Sequence, residues 1–307
     1  MAPALTALRR ALGWAGLSPA HGIPEASEGR ADQAAVHPAE LVEAGPLATH
    51  PVGDASTWPG SVAFLDGVQR WEPVAYAGVS PIVAAHVAAA VRERNGRRFR
   101  TATVVRDRIL IARPAALAAA GAAVEGWHTL ALPADEPPHP IGDLHQARAM
   151  VERRRGEVER QAGREYRASS DGWLVVDGSL TESPDWAADP RMIGVIKSHA
   201  SLPFGGAELE TYLKLPAGHR TSLFRPASRA RAPVYSWALR LWPWEGKGLL
   251  YGLIRVEAAP TAETVTLADE LSRWLLAERA PVSTPDLRWD RLLYGIHDVE
   301  RFLKSER

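Results

Sequence analysis

The sequence predicts an α/β protein in which helices flank a mixed β-sheet. Two short apolar runs, at 61–67 and 173–178, each end in Asp-Gly, which is typical of buried strands that close on a turn. Between them, apolar residues recur at helical spacing over 142–167. Strand-like runs then follow at 192–197, 234–241 and 249–256. Strands that alternate with a long helix indicate a sheet covered by helices.

Composition narrows the class of protein. The chain has 307 residues, of which 46% are hydrophobic and 23% are charged, as in ordinary globular proteins. It contains no cysteine, which excludes disulfides, thiolate catalysis and cysteine-based zinc sites, and fits a cytoplasmic location. No apolar run is long enough to span a membrane. Because 36 basic residues balance 36 acidic ones, a protein that only coats nucleic acid is disfavoured, whereas an enzyme with a local basic channel is not.

The N-terminal region differs from the rest of the chain. Leu5, Leu8, Leu12 and Trp14 predict an amphipathic helix over 1–16, and the arginines within this stretch argue against a signal peptide. Residues 17–60 are rich in Pro, Gly, Ala and His and predict an irregular arm. We therefore divide the chain into a helix and arm, 1–59, which contacts a second copy or a partner, and one domain, 60–307.

The domain begins with strands and ends with helices. Strands are predicted at 62–65, 73–79, 99–105, 108–112, 173–177, 192–197, 211–215, 234–241 and 249–256, with Arg106-Asp107 as a hairpin turn. The segment 82–94 is compatible with either a helix or a strand. Helices are predicted at 142–167, 264–280 and 287–303.

Two aspartates at strand ends are the first candidates for catalysis. Asp66 and Asp177 each precede a glycine, and two such carboxylates are suited to share hard divalent cations in a metal-dependent phosphodiesterase. Either pair alone is more often a simple turn. The interpretation depends on both occurring in one chain, with a helix between them.

The long helix offers a third carboxylate. If Val151, Val158 and Ala162 define its buried stripe, Glu159 falls about 80° from the centre of that stripe. Glu152 lies slightly farther away and Glu157 faces solvent, so Glu159 is the first choice and the other two stay open. A solvated helix edge is the alternative for each.

A lysine and a histidine complete the candidate site. Lys197 ends the run at 192–197 and either contacts a phosphate or orients a carboxylate, unless it is only a solvated strand-end lysine. His297 lies near the apolar face of the last helix, where a histidine bonded to a carbonyl is the alternative to a metal ligand.

These motifs, in this order, resemble the NurA family of DNA-repair nucleases over roughly residues 60–303. The most specific parts are Asp177-Gly-Ser-Leu180 and Gly194-Val-Ile-Lys197-Ser198, followed by Arg255-Val-Glu257 and the histidine in the last helix. The resemblance implies a ribonuclease-H-like fold in which Asp66, Glu159, Asp177 and His297 bind Mn²⁺ or Mg²⁺. It also implies a homodimer that degrades DNA ends together with a HerA-type hexameric translocase.

Two features of the sequence are compatible with a second function. Val68 stands where the family usually has serine, and the chain has no net charge. A catalytically inactive homologue that acts as a dimeric adaptor on a ring ATPase is therefore the alternative.

DNA contacts are expected from a few exposed residues. Candidates are an aromatic platform at Trp71 and the cationic side chains of Arg97, Arg98, Arg100 and Arg225. A run of arginines is more often a solvated surface, so these contacts are a hypothesis about the DNA path.

Overall fold

The structure is a computed structural model that describes residues 35–36, 38–120, 126–135, 137–199, 201–227, 232–279 and 289–305. The helix predicted over 1–16 and the first part of the predicted arm lie outside these residues. Among the described residues, no helix is both long enough and apolar enough to cross a membrane.

In the described part of the chain, the secondary structure comprises strands, α-helices and two short 3₁₀ turns at Leu180–Glu182 and Trp289–Arg291. The helices are α1 (Pro114–Ala120), α2 (Pro140–Arg167), α3 (Pro184–Ala188), α4 (Gly206–Leu213), α5 (Ala262–Ala277) and α6 (Tyr294–Ser305). The strands are β1 (Ala35–Val36), β2 (Glu40–Leu41), β3 (Thr49–Pro51), β4 (Val62–Ala77), β5 (Ser80–Asn95), β6 (Arg98–Ala112), β7 (His128–Ala131), β8 (Trp173–Asp177), β9 (Met192–Ile196), β10 (Ser201–Leu202), β11 (His219–Thr221), β12 (Phe224–Arg225), β13 (Tyr235–Arg240) and β14 (Leu253–Ala258).

The chain forms two compact units. The first unit comprises Met1–Gly60 with Trp173–Tyr294, and the second unit comprises Ser61–Gly172 with Gly295–Arg307. The residues before Ser61 thus belong to the same unit as those that follow Gly172. The division after Gly172 was not anticipated, because no composition change marks it.

In the first unit, a mixed sheet has the strand order β2-β12-β13-β14-β9-β8. Strand β8 runs parallel to β9, β14 runs antiparallel to both β9 and β13, and β11 joins β3 to β13. Strands β1 and β10 form a separate parallel pair. The described end of the predicted arm therefore contains short strands that pair with later parts of the chain.

In the second unit, β4, β5 and β6 form long antiparallel hairpins and β7 adds a parallel strand. Helix α2 packs against the three long strands. Its buried residues include Ala147, Val151, Val158 and Ala162, as predicted. His139 caps the helix by accepting a hydrogen bond from Gly142 N–H, and Pro140 occupies the first turn.

The predicted α/β class, with a mixed sheet flanked by helices, is confirmed, but several elements differ from the prediction. Strand β4 is continuous over both segments predicted as separate strands, and the ambiguous segment 82–94 is part of β5. No turn occurs at Arg106-Asp107, because both residues pair in register with β5. The predicted strand at 211–215 overlaps α4, whose end is marked by Lys214 N–H bonding to Glu210 O.

Candidate active site

Gly67 in the second unit is where a neighbouring carboxylate approaches the backbone of β4. A Cβ built on Gly67 would lie 2.7 Å from Glu159 Cγ and 2.8 Å from Glu159 Cδ. The Glu159 side chain therefore occupies the space that a Cβ at this position would enter, and it would have to move to admit one. Arg155, one helical turn earlier on α2, pairs with Glu159 at 3.0 Å.

Asp66 is buried beside this contact, with 6% of its surface exposed. Its Oδ1 accepts a hydrogen bond from Gly67 N–H at 2.7 Å. Because side chains alternate along a strand, Asp66 leaves β4 on the face opposite to Glu159. Both acids nevertheless contact the same glycine, which they flank from the two sides of the strand.

The other two acids considered on α2 are more exposed. The Glu157 side chain is 42% exposed and pairs with Arg154 at 2.8 Å, and the Glu152 side chain is 48% exposed and pairs with Arg148 at 3.0 Å. The Glu159 side chain is 13% exposed. Burial thus ranks Glu159 first among the three, and its role as a ligand stays a prediction.

His297 lies on α6, which packs on the face of β4 that also carries Phe64 and Asp66. A Cβ at Gly295 would overlap the Phe64 ring, so the glycine allows the helix to lie directly on the strand. His297 Nδ1 lies 4.0 Å from Glu300 Oε2. The adjacent Asp298 pairs with Arg92 at 3.0 Å, while burial raises the pKa of Asp298.

In the first unit, Asp177 and Lys197 form an ion pair. Asp177 ends β8, Lys197 follows β9, and Lys197 Nζ lies 2.9 Å from Asp177 Oδ1. The two strands are parallel neighbours, with Asp177 opposite Val195, so both side chains emerge at the same end of the sheet. One of the two sequence alternatives, in which Lys197 orients a carboxylate, therefore agrees with the geometry.

The two glycine motifs of the first unit fit against each other. Gly178 has φ +137°, a conformation that favours glycine, and a Cβ at Gly194 would lie 2.7 Å from Gly178 O. Ser179 caps the following 3₁₀ turn through Thr181 N–H, and Leu180 is fully buried. The two motifs therefore pack directly against each other, and this packing explains why they occur together without reference to catalysis.

Sequence reasoning placed Glu257 on a strand but gave it no role. Its Oε2 accepts hydrogen bonds from Ser179 Oγ (2.8 Å) and Leu180 N–H (2.9 Å), and its Oε1 pairs with Arg255 at 3.2 Å. This buried carboxylate holds the turn that follows Asp177. The sequence signal for this role is an acid and a base two residues apart in a buried strand, because buried charged side chains require partners.

The predicted ligands can be tested against the needs of a divalent cation. Carboxylates and an imidazole are suitable donors for Mn²⁺ or Mg²⁺, so the donor types fit such a cation, whereas Asp66 and Glu159 approach Gly67 from opposite faces of β4. Among the described residues, no three His, Asp or Glu side chains lie close enough together to hold a metal ion. Asp177 and Lys197 belong to the first unit, and Asp66, Glu159 and His297 to the second.

The predicted DNA contacts are distributed over both units. Trp71 lies half-buried on β4, and Arg97 and Arg98 are exposed where β5 turns into β6. Arg100 pairs with Glu93 at 3.0 Å, and Arg225, in the first unit, pairs with Glu40 at 3.0 Å. These exposed ion pairs are weak enough to be exchanged for phosphate contacts.

Known proteins resemble this chain in fold and not in sequence. No family model matches the sequence, and no curated protein matches it. The fold is similar to the crystal structure of the NurA nuclease from Sulfolobus solfataricus, with 10% sequence identity and a TM-score of 0.48. The similarity covers 82% of this chain and 85% of that chain. At this level of likeness, residue roles do not transfer from one chain to the other.

Proposed function

We propose that this protein is a divalent-metal-dependent DNA nuclease that hydrolyses phosphodiester bonds at DNA ends. The observation that carries the proposal is the contact of two carboxylates, Asp66 and Glu159, with the one residue Gly67. Glu159 packs against Gly67, Asp66 is buried at the preceding position of the same strand, and carboxylates are the donors that hard divalent cations prefer.

The proposed roles follow from the chemistry of each side chain. Asp66 and Glu159 hold Mn²⁺ or Mg²⁺, and Asp177 and His297 are proposed as further ligands from their donor type and the sequence resemblance. A divalent cation supplies charge that stabilises the phosphate transition state and acidifies water. Arg155 holds the Glu159 carboxylate by an ion pair at 3.0 Å.

Lys197 is proposed to orient Asp177 and to neutralise phosphate charge. Its ammonium group already lies 2.9 Å from Asp177, and a lysine of this kind exchanges readily between a carboxylate and a phosphate. The proposal includes cytoplasmic action as a homodimer, with a HerA-type hexameric translocase that delivers DNA. Trp71, Arg97, Arg98, Arg100 and Arg225 are its proposed DNA contacts.

A cleavage assay tests the proposal. Purified protein is incubated with linear single-stranded and double-stranded DNA plus Mn²⁺, alone and with a HerA-type translocase. We expect degradation that EDTA abolishes and that Asp177→Ala reduces to background. Degradation that survives Asp177→Ala at full rate contradicts the proposed site.

A second function, an inactive dimeric adaptor for a ring ATPase, is favoured by one observation. Asp177 and Glu159 are each neutralised by a cationic side chain of the protein, Lys197 and Arg155, without any added metal. An adaptor predicts no cleavage under any condition in the assay above, together with co-elution of the protein and the ATPase.

A further inference from the structure

A cavity of about 410 Å³ lies in the second unit, and its lining contains none of the residues proposed above to bind the metal. Strands β4, β5 and β6 and the end of α6 form its walls. Its lining includes five basic side chains: Arg70, His86, Arg106, Arg108 and Lys304. Because the whole chain has no net charge, this is a local concentration of positive charge.

The strand register explains how the basic residues come together. Arg70 pairs with His86 across β4 and β5, and His86 pairs with Arg108 across β5 and β6, so the three lie in one row on one face. Arg70 and Arg108 therefore flank His86 on one face, and both guanidinium groups are exposed donors for charge-assisted hydrogen bonds to an anion. The His86 ring also packs edge-on against Trp127, with ring centroids 5.6 Å apart, which restrains its orientation.

The neighbouring row of the same face consists of Val68, Ala88 and Arg106, so its positions on β4 and β5 are apolar and its position on β6 is cationic. Val68 pairs with Ala88 in register, and Leu303 from α6 lines the cavity beside them. A cavity of this size accommodates a small molecule but not a duplex. A ligand with both an anionic group and a flat, weakly polar body therefore fits the lining.

The acidic group in the lining is already engaged. Asp107 contacts His128 at 2.8 Å and Arg154 at 2.6 Å. Hydrogen bonds from these two groups lower the pKa of Asp107 against the opposing effect of burial, which is the largest single influence on it. Lys304 pairs with Glu300 at 2.6 Å. Arg70 and Arg108 are therefore the main source of positive charge for a ligand in the cavity.

We propose that this cavity binds a nucleotide, with the phosphate held by Arg70 and Arg108 and the base against Val68, Ala88 and Leu303. The proposal rests on the proposed nuclease function, which supplies the ligand either as a released mononucleotide or as the terminal nucleotide of a DNA strand. Val68 lies on the same face of β4 as Asp66, at a distance of about 7 Å for two strand residues. The cavity thus begins beside the residue proposed to act in hydrolysis.

The test is a binding measurement that does not require cleavage. The full-length protein in EDTA is titrated calorimetrically with 5′-dAMP, deoxyadenosine, inorganic phosphate, and a short single-stranded oligonucleotide with or without a 5′-phosphate. We expect saturable binding of 5′-dAMP, weaker binding of phosphate and none of deoxyadenosine. Tighter binding of the phosphorylated oligonucleotide than of 5′-dAMP identifies a strand end as the ligand, and the reverse identifies the free nucleotide.

Variants separate this cavity from general surface charge. In the double variant Arg70→Gln/Arg108→Gln, we expect the dissociation constant for 5′-dAMP to rise by about tenfold or more, because two charge-assisted contacts are lost. Arg153→Gln/Arg164→Gln removes the same charge from exposed positions on α2 and is expected to bind as the unaltered protein does. Arg70 and Arg108 are exposed, so the double variant should fold, and a thermal melt checks this.

Each result bears on the cavity independently of cleavage. Binding of 5′-dAMP that is lost only in the cavity variant supports the proposal even if no nuclease activity is found. Absence of nucleotide binding, or an equal loss of binding in both double variants, overturns it even if the protein cleaves DNA.

Discussion

The Asp66-Gly67 pair of the second unit and the Asp177-Gly178 pair of the first unit are alike in sequence but need glycine for different reasons. At Gly67 the backbone is ordinary extended strand, and the Glu159 side chain fills the space of a Cβ. At Gly178 the space is open, but φ is +137°, and the chain turns there toward Ser179 and Leu180. One glycine accommodates a neighbouring side chain, whereas the other accommodates a turn.

The two aspartates differ in the same way. Asp66 is almost fully buried and bonds to the next backbone N–H, while the Asp177 side chain is 24% exposed and pairs with Lys197. The same Asp-Gly sequence thus occurs in two different electrostatic environments. Asp66 thus accepts a hydrogen bond from its immediate backbone, and Asp177 pairs with a lysine that follows the neighbouring strand.

The largest effect is expected from replacing either aspartate by its amide. Asp66→Asn and Asp177→Asn should each lower the rate of DNA cleavage in Mn²⁺ by about a hundredfold or more, since an amide is a poor ligand for a hard cation. Initial rates on linear DNA measure the effect, and circular dichroism shows whether the fold is retained. If only one variant loses activity, the two Asp-Gly pairs differ in function as well as in structure.

The pH dependence of stability should distinguish the two units. In the first unit, burial lowers the pKa of His199 from 6.5 to about 4, and its Nε2–H donates to Leu253 O at 3.0 Å. The folded state keeps the imidazole neutral, while the unfolded state takes up a proton below pH 6.5. The free energy of unfolding should therefore fall by about 3 kcal/mol as the pH drops from 6.5 to 4.

The second unit should respond at lower pH. Hydrogen bonds from Arg113 and Ser80 lower the pKa of the buried Asp143 from 3.8 to about 2. Its contribution is present above pH 3.8 and is lost as the pH falls toward 2, by about 2 kcal/mol. Urea unfolding at a series of pH values measures both windows. His199→Gln should flatten only the upper window and Arg113→Met only the lower one, and a change in the other window contradicts the assignment.

Alanine substitutions at two glycines test the packing contrast. In Gly194→Ala the new Cβ meets Gly178 O at 2.7 Å and Leu180 Cγ at 3.0 Å, so the backbone must move, at a cost of about 3 kcal/mol. In Gly67→Ala the Cβ meets only the flexible Glu159 side chain, and we expect a cost of about 1 kcal/mol. Denaturant titration gives both values. A reversed order would mean that Glu159 is held more rigidly than the backbone around Gly178.

The smallest effect is expected from the cationic partners of the acids. Lys197→Met and Arg155→Met should each reduce cleavage by about tenfold, because each removes a group that orients a carboxylate rather than a carboxylate itself. Cleavage rates are measured over a range of Mn²⁺ concentrations. Arg148→Met, which removes an equivalent exposed ion pair on α2, is the control and should cleave normally. An increase in activity would instead mean that these cations compete with the metal.

Elements with strong local signals were predictable from sequence. The helix α2 has an apolar stripe at regular spacing, so its position follows from periodicity, whereas β8 and β9 are short continuous apolar runs whose positions follow from their length and flanking turn residues. Strand β6 was split at Arg106-Asp107 because two charged residues resemble a turn. Asp107 is instead held within the strand by Arg154 from α2, a contact between residues far apart in the chain.

Residue order and type were sufficient to name candidate acids and bases, because carboxylates, imidazole and lysine keep their donor character in any fold, and their roles in catalysis stay a prediction. Asp66, Glu159, Asp177, Lys197 and His297 were selected in this way. Their pairings could not be predicted, because they depend on strand register and helix packing. This holds for the Asp177–Lys197 pair, for the Arg155–Glu159 pair beside Gly67, and for the row of Arg70, His86 and Arg108 across β4 to β6. Register brings side chains together at distances of a few ångströms, and a pattern of residues along the chain contains no such distances.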